Sequence, residues 1–196
     1  MKLTIEDINK IHHNGTVFTN ETAQELLSIV KVKHLKKRET FVKEGEICSH
    51  WGYIDKGLIR AYYYKHHTRK REVTEDFYME GCYFTAIESY FHRTPSHLIL
   101  EALEPTTIYT FHYDEFESLC ERNHEMEHDF RKGLEHILLE AQTRLDSLLF
   151  ETAQERYDGL LKNIPELILR VPSIYISSYL GVTPETLSRI RAKSGK

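Results

Sequence analysis

The sequence has only three cysteines, Cys48, Cys82 and Cys120, an odd number standing far apart. That excludes a disulfide framework and the paired spacing of a zinc ribbon. No run approaches the ~18 apolar residues of a membrane helix. The opening MKLTIEDINKIHHNG lacks the apolar stretch and small-residue cleavage site of a secretory signal. A soluble protein of the reducing cytoplasm, with no membrane partner, is therefore expected. An excess of positive charge is missing too: 26 Lys and Arg against 30 Asp and Glu give a net charge of −4. No global field draws the chain to a polyanion, so any such contact must be local. There is no His-x-His arrangement, no phosphate-cradling glycine loop, no Ser-His-Asp order and no paired-carboxylate motif, so neither an enzyme nor a cofactor is expected. Twelve histidines are present, and His124 and His128 share one helical face, but they read as solvated side chains rather than metal ligands.

What is present divides by region. Twenty-two aromatic residues concentrate before residue 131, as a β-rich core would use them. Residues 4–31 read as a helical preface: Ile5, Ile8 and Ile11 recur in threes, and Ala23, Leu26, Leu27 and Val30 follow a cap at Asn20. From about 38 to 113 the pattern is alternation broken by KEG, DKG and MEG, with runs such as LIRAYYYK and TTIYTFHY; this is an antiparallel β region with glycine corners. Between 114 and 150 glycine and proline nearly vanish. Met126, Phe130, Leu134, Ile137, Ala141, Leu145 and Leu148 advance in threes and fours, which predicts one long amphipathic helix. Its stripe can seat against a twin helix, or pack on the chain's own β region, and Gly133 marks a hinge or a close crossing. His66 and His67, in the charged run KHHTRKRE, read as a hairpin tip, and Cys82 as a small buried hydrophobe.

The last segment carries the positive charge. Residues 170–196 hold Arg170, Arg189, Arg191, Lys193 and Lys196 against Glu185 alone. Within it, SIYISSYLGVTPETLSRIRAK predicts two short helices around a turn at Gly181. Ile176, Leu180, Val182, Leu187 and Ile190 close a small core, and Ser177 permits a close crossing. Thr183 caps the second helix and Pro184 takes its first position. With Leu187 and Ile190 inward, Glu185, Ser188, Arg189 and Ala192 share the open face. A helix of this kind fits the major groove, where Arg bridges guanine O6 and N7 and Glu accepts from cytosine N4; Arg191, Lys193 and Lys196 would meet phosphates. The competing reading is a plain helical hairpin with an i,i+4 Glu–Arg pair.

The motif GVTPETLSRI, the EGE and DKG turns with Gly45 and Gly57 twelve apart, and MEGCYF ending at Phe84 resemble the Crp/Fnr family of bacterial transcription regulators. The resemblance covers nearly the whole length. It implies an α+β chain: an antiparallel jelly-roll, cyclic-nucleotide-binding-like sensor over residues 1–113, a long dimerisation helix over 114–151, and a helix-turn-helix over 152–196. By this match Thr183, Glu185, Ser188, Arg189, Arg191 and Lys193 contact DNA. Met126, Phe130, Leu134, Ile137, Ala141, Leu145 and Leu148 form the dimer seam. The implied partners are double-stranded DNA, a second copy, an unknown small-molecule effector and RNA polymerase.

The sequence departs from the family in two places. Where a cyclic-nucleotide cassette has a Gly-Glu pair and then Arg-Ser or Arg-Thr, this chain reads FTAIESYFHRTPSHLILEA, with Thr85, Ala86 and Ile87 at the first position and Pro95, Ser96 and His97 at the second. Both polar anchors of a cyclic phosphate are lost, so cyclic AMP is not the expected effector. An effector pocket from the degenerate cassette would draw on Phe84, Thr85, Glu88, Arg93, Ser96 and His97, with Glu88 and Arg93 as shifted anchors. The chain also stops at Lys196, so the family's β-hairpin wing is expected to be absent or vestigial. The rival function is a small-molecule-binding or protein-interaction module with a vestigial helix-turn-helix.

Overall fold

The computed structural model describes residues 3–8, 11, 18–65 and 71–194; the run at His66 and His67 and the terminal Lys196 lie outside them. The helical preface resolves into α1 (Ile5–Ile8) and α2 (Asn20–Ile29). The cap of α2 is Thr19 rather than Asn20: its hydroxyl accepts from the Thr22 backbone N–H, and Asn20 is the first helical residue. Among the described residues eight strands follow: β1 (Lys31–Leu35), β2 (Thr40–Val42), β3 (His50–Lys56), β4 (Ile59–Tyr64), β5 (Glu72–Tyr78), β6 (Tyr83–Phe84), β7 (Ile99–Ala102) and β8 (Thr106–His112), with α3 (Ile87–His92) between β6 and β7. One sheet runs β1-β8-β3-β6 and the other β2-β7-β4-β5. This is the expected antiparallel roll. Its corners turn at Gly45, Gly57 and Gly81, all at positive φ.

Beyond the roll the expected single helix is two. α4 (Tyr113–Arg122) ends at Asn123, whose extended backbone breaks the run before α5 (His124–Phe150) begins. The Asn123 carboxamide explains the break: its oxygen accepts from Met126 N–H, capping α5, while its nitrogen donates to Glu25 on α2. α6 (Ala153–Asn163) starts with a Thr152/Glu155 capping box. α7 (Pro165–Arg170), α8 (Ser173–Tyr179) and α9 (Pro184–Ser194) complete the chain.

The chain forms two compact units. The first contains Met1–Ala61 and Phe77–Leu138; the second joins Tyr62–Asp76 to Leu139–Lys196. In the first, α1, α2, α4 and the early part of α5 bury Ile8, Leu26, Phe116 and Met126 against Trp51, Tyr109 and Phe111 of β3 and β8. The core of the second includes Tyr157, Leu160, Leu167, Ile176, Leu180, Leu187 and Ile190.

Inside the roll, Phe84 lies over Gly52, its partner in the β3–β6 pairing, and meets Phe41 edge to face at 5.0 Å. A Cβ at position 52 would stand 2.4 Å from the Phe84 ring. Gly52→Ala is therefore expected to destabilise the roll by about 1–3 kcal/mol, the usual cost of overpacking, measured as a lowered urea midpoint with unchanged m-value.

Candidate functional site

α8 and α9 meet as the sequence predicts. Ile176, Leu180, Leu187 and Ile190 are buried, Ser177 is 2% exposed at the crossing, and Gly181 turns the chain at φ 72°. The Thr183 hydroxyl accepts from Thr186 N–H at 3.3 Å, with Pro184 opening α9 behind it. Thr183, Glu185, Ser188, Arg189 and Lys193 all stand exposed. The Thr183 hydroxyl, the backbone N–H of Glu185 and the charge of Arg189 together hold the Glu185 carboxyl below its ordinary range. It is an acceptor at neutral pH. Arg189 curls back so that its Nε donates to the Glu185 carbonyl at 3.4 Å. The acid and the guanidinium thus share one open helical face.

Arg191 departs from its expected place. Its Nη1 donates to Ser173 Oγ at 2.7 Å and its guanidinium lies 5.9 Å from the Tyr157 ring centre. Its Nε and Nη2 are buried without a hydrogen-bond partner. Arg191 therefore ties α9 to α8 and α6 rather than flanking a groove. The spacing held the signal, since Arg191 is four residues after the inward-facing Leu187. Sequence reasoning missed two other arginines altogether. Arg144 Nη2 donates to the Tyr179 carbonyl at 3.1 Å with its guanidinium 3.8 Å from the Tyr179 ring, and Arg156 Nη2 donates to the Leu180 carbonyl at 3.0 Å. Both cap carbonyls at the end of α8, where the helix dipole favours cations. Backbone partners this distant leave no trace in a spacing pattern.

The cassette spends its polar groups on itself. Thr85 Oγ1 donates to the His50 carbonyl at 2.9 Å. Ser89 Oγ accepts from Cys48 N–H at 2.9 Å and donates to the Thr94 carbonyl at 2.5 Å. Ser96 Oγ bonds only within its own loop, at Leu98. Glu88 and Arg93 have different partners: Glu88 lies 3.4 Å from His97, whereas Arg93, in left-handed backbone at φ 56°, stacks 4.3 Å from the Tyr113 ring centre and reaches the Cys48 carbonyl. Phe84 is core packing. No cationic fork and hydroxyl acceptor converge here on a place for a cyclic phosphate.

A separate cavity lies where β3 and β8 face α4 and α5. Trp51, Phe111, Phe116, Phe130 and the buried Asp129 are among its walls, and its volume is about 20 Å³. That is room for about one water, so this cavity is not an open chamber for an effector.

The α5 stripe divides between two environments. Met126 is buried, and Phe130, Leu134 and Ile137 pack partly buried on the roll's aromatic core, with Gly133 buried beside them. Farther along, Ala141, Leu145 and Leu148 are exposed, joined by Leu138 at 68% and Leu149 at 65%. Only the far half of the predicted seam is bare.

Cys82 is exposed, not buried as expected, because it follows the Gly81 corner. Burial pushes the Cys120 thiol up to about 12, which leaves it unreactive at neutral pH. His124 and His128 are exposed, and among the described residues no three His, Cys, Asp or Glu side chains gather as a metal site. Likewise, among the described residues no helix is long and apolar enough to cross a membrane.

Residues 32–123 match the family model of the cyclic nucleotide-binding domain. None of the curated proteins matches the chain. Among solved structures it is similar to FixK2 from Bradyrhizobium japonicum, at 22% identity and TM-score 0.71, covering 84% of each chain. It is also similar to the c-di-GMP responsive global regulator CLP of Xanthomonas campestris, at 15% identity and TM-score 0.70, covering 90% of this chain and 92% of that one. A third is a putative transcriptional regulator of the Crp/Fnr family from Eubacterium rectale, at 13% identity and TM-score 0.67, covering 88% and 82%. The chain has the Crp/Fnr fold, as the sequence motifs lead one to expect. Calorimetry with millimolar cyclic AMP is expected to give no saturable heat; a micromolar isotherm would contradict the account of the cassette.

Proposed function

We propose that this chain, built on the Crp/Fnr fold, is a homodimeric, sequence-specific DNA-binding transcription regulator whose degenerate sensor does not respond to cyclic AMP. The observation that carries this reading is the open face of α9, where Glu185, Ser188 and Arg189 stand exposed behind a capped, proline-started first turn. An Arg–Glu pair one turn apart on a groove-sized helix reads base edges, and Lys193 supplies a phosphate contact that carries no sequence information. The regulators that share the fold support it. No catalytic role is assigned to any residue.

Dimerisation rests on the distal half of α5. Leu138, Ala141, Leu145, Leu148 and Leu149 leave an apolar strip in water that a second copy, related by a two-fold axis, would bury. Such a pair holds two copies of α9 about one DNA turn apart, ~34 Å, over an inverted repeat. An effector then acts by binding one arrangement of the dimer better than another, and the shift is limited by that difference in affinity. RNA polymerase is the further partner such a regulator addresses.

Random-duplex selection at fixed salt tests the reading. Wild type is expected to enrich an inverted repeat; Arg189→Ala should lose about 1–3 kcal/mol on that site and little on unrelated DNA. Equal loss on all sequences would remove base readout from the account. Leu145→Asp places a charge in the α5 strip, and light scattering should then report a monomer; an unchanged dimer mass puts the interface elsewhere.

A further inference from the structure

Among the described strands β5 is the outer one of its sheet, with β4 on its inner side. Within the second compact unit, the hydroxyl of Ser178 meets that edge. Ser178 Oγ, on α8, accepts from Thr74 N–H at 2.9 Å and donates to the Glu72 carbonyl at 3.3 Å. A hydroxyl is both donor and acceptor, so it substitutes for one residue of a missing strand. Thr74 is buried, at 3% exposed. The carbonyls following Ser178, of Tyr179 and Leu180, are those held by Arg144 of α5 and Arg156 of α6. α8 is therefore fixed to β5, α5 and α6 through three consecutive residues. α9 follows from it through the tight Gly181 turn, where Val182 N–H donates to the Ser177 carbonyl at 2.9 Å.

The same strand leads directly to the cassette. β5 passes through the Gly81 corner, which is pinned by Gly81 N–H to the Ile54 carbonyl and by Glu80 accepting from Gly57 N–H, into β6 and Thr85. Thr85 stands eleven positions after Thr74 along the chain. We infer that Ser178 is a positioning residue: within the second unit, by docking α8 on the edge of β5, it sets the orientation of the recognition helix relative to β5 and to the distal half of α5. This rests on the DNA-reading function proposed above. It does not mask the reader, since Glu185, Ser188 and Arg189 stay exposed with the contact formed. Its role is to limit the angles at which two readers of a dimer meet DNA.

The test uses the full chain with Ser178→Ala, which removes the hydroxyl, and Ser178→Thr, which keeps it. In Ser178→Ala the Thr74 amide is expected to exchange its hydrogen about tenfold faster. Selected inverted repeats should spread over a wider range of half-site spacings than the wild type accepts, while the half-site sequence stays the same. Ser178→Thr should restore both. A merely structural loss would weaken enrichment without changing the spacing distribution. Unchanged Thr74 exchange would overturn the docking, and faster exchange with an unchanged spacing distribution would overturn the positioning role. If the wild type enriches no duplex, the DNA-reading function itself falls and the role in spacing with it, whatever Thr74 does.

Discussion

The apolar stripe of α5 outruns the surface that can cover it. Over its first turns Met126, Phe130, Leu134 and Ile137 sink into the aromatic core of β3, β8 and α4, and this packing fixes α5 to the roll. From Leu138 onward the same stripe meets water. At roughly 25 cal/mol per Å² of apolar surface, a strip of large aliphatic side chains is a strong force for association. One helix thus has both a covered half and a bare half.

The polar groups of the cassette are engaged by the protein itself. A cyclic phosphate needs donors that are idle until it arrives. Here Thr85, Ser89 and Ser96 donate to backbone carbonyls, and the Arg93 guanidinium sits over the Tyr113 ring. Each of these contacts is individually modest, about 1 kcal/mol for a neutral hydrogen bond. Together they stiffen the turn between β6 and β7, so an entering anion would have to displace contacts already made. The small cavity beside α5 does not compensate, being sized for about one water.

Much of this was legible in the residues. The glycine corners, the two-helix C-terminal unit, its Thr183–Pro184 start and its buried quartet follow from local rules of φ, capping and period, and those rules act over a few residues. What escaped was non-local or competitive. Asn123 can cap a helix, but with glycine and proline nearly absent between 114 and 150 no breaker residue marked the end of α4 and the start of α5. Arg191 carries a charge and so suggested a phosphate, yet its position one turn beyond Leu187 places it inward. The anchoring of α8 by Arg144, Arg156 and Ser178 depends on backbone groups brought together only by the tertiary fold. The divided fate of the α5 stripe was also beyond reach, because periodicity shows which face is apolar and not how far a roll extends to cover it.

Trp51 is the chain's only tryptophan, and it lies inside this arrangement. Its indole meets Tyr90 of α3 at 5.5 Å and Phe130 of α5 at 5.8 Å, both edge to face, and it is 3% exposed. An indole so enclosed emits at short wavelength, and its emission moves when water or a polar neighbour reaches it. The protein therefore carries an optical gauge at the seam between roll and helix, which needs no label and is read against no competing tryptophan.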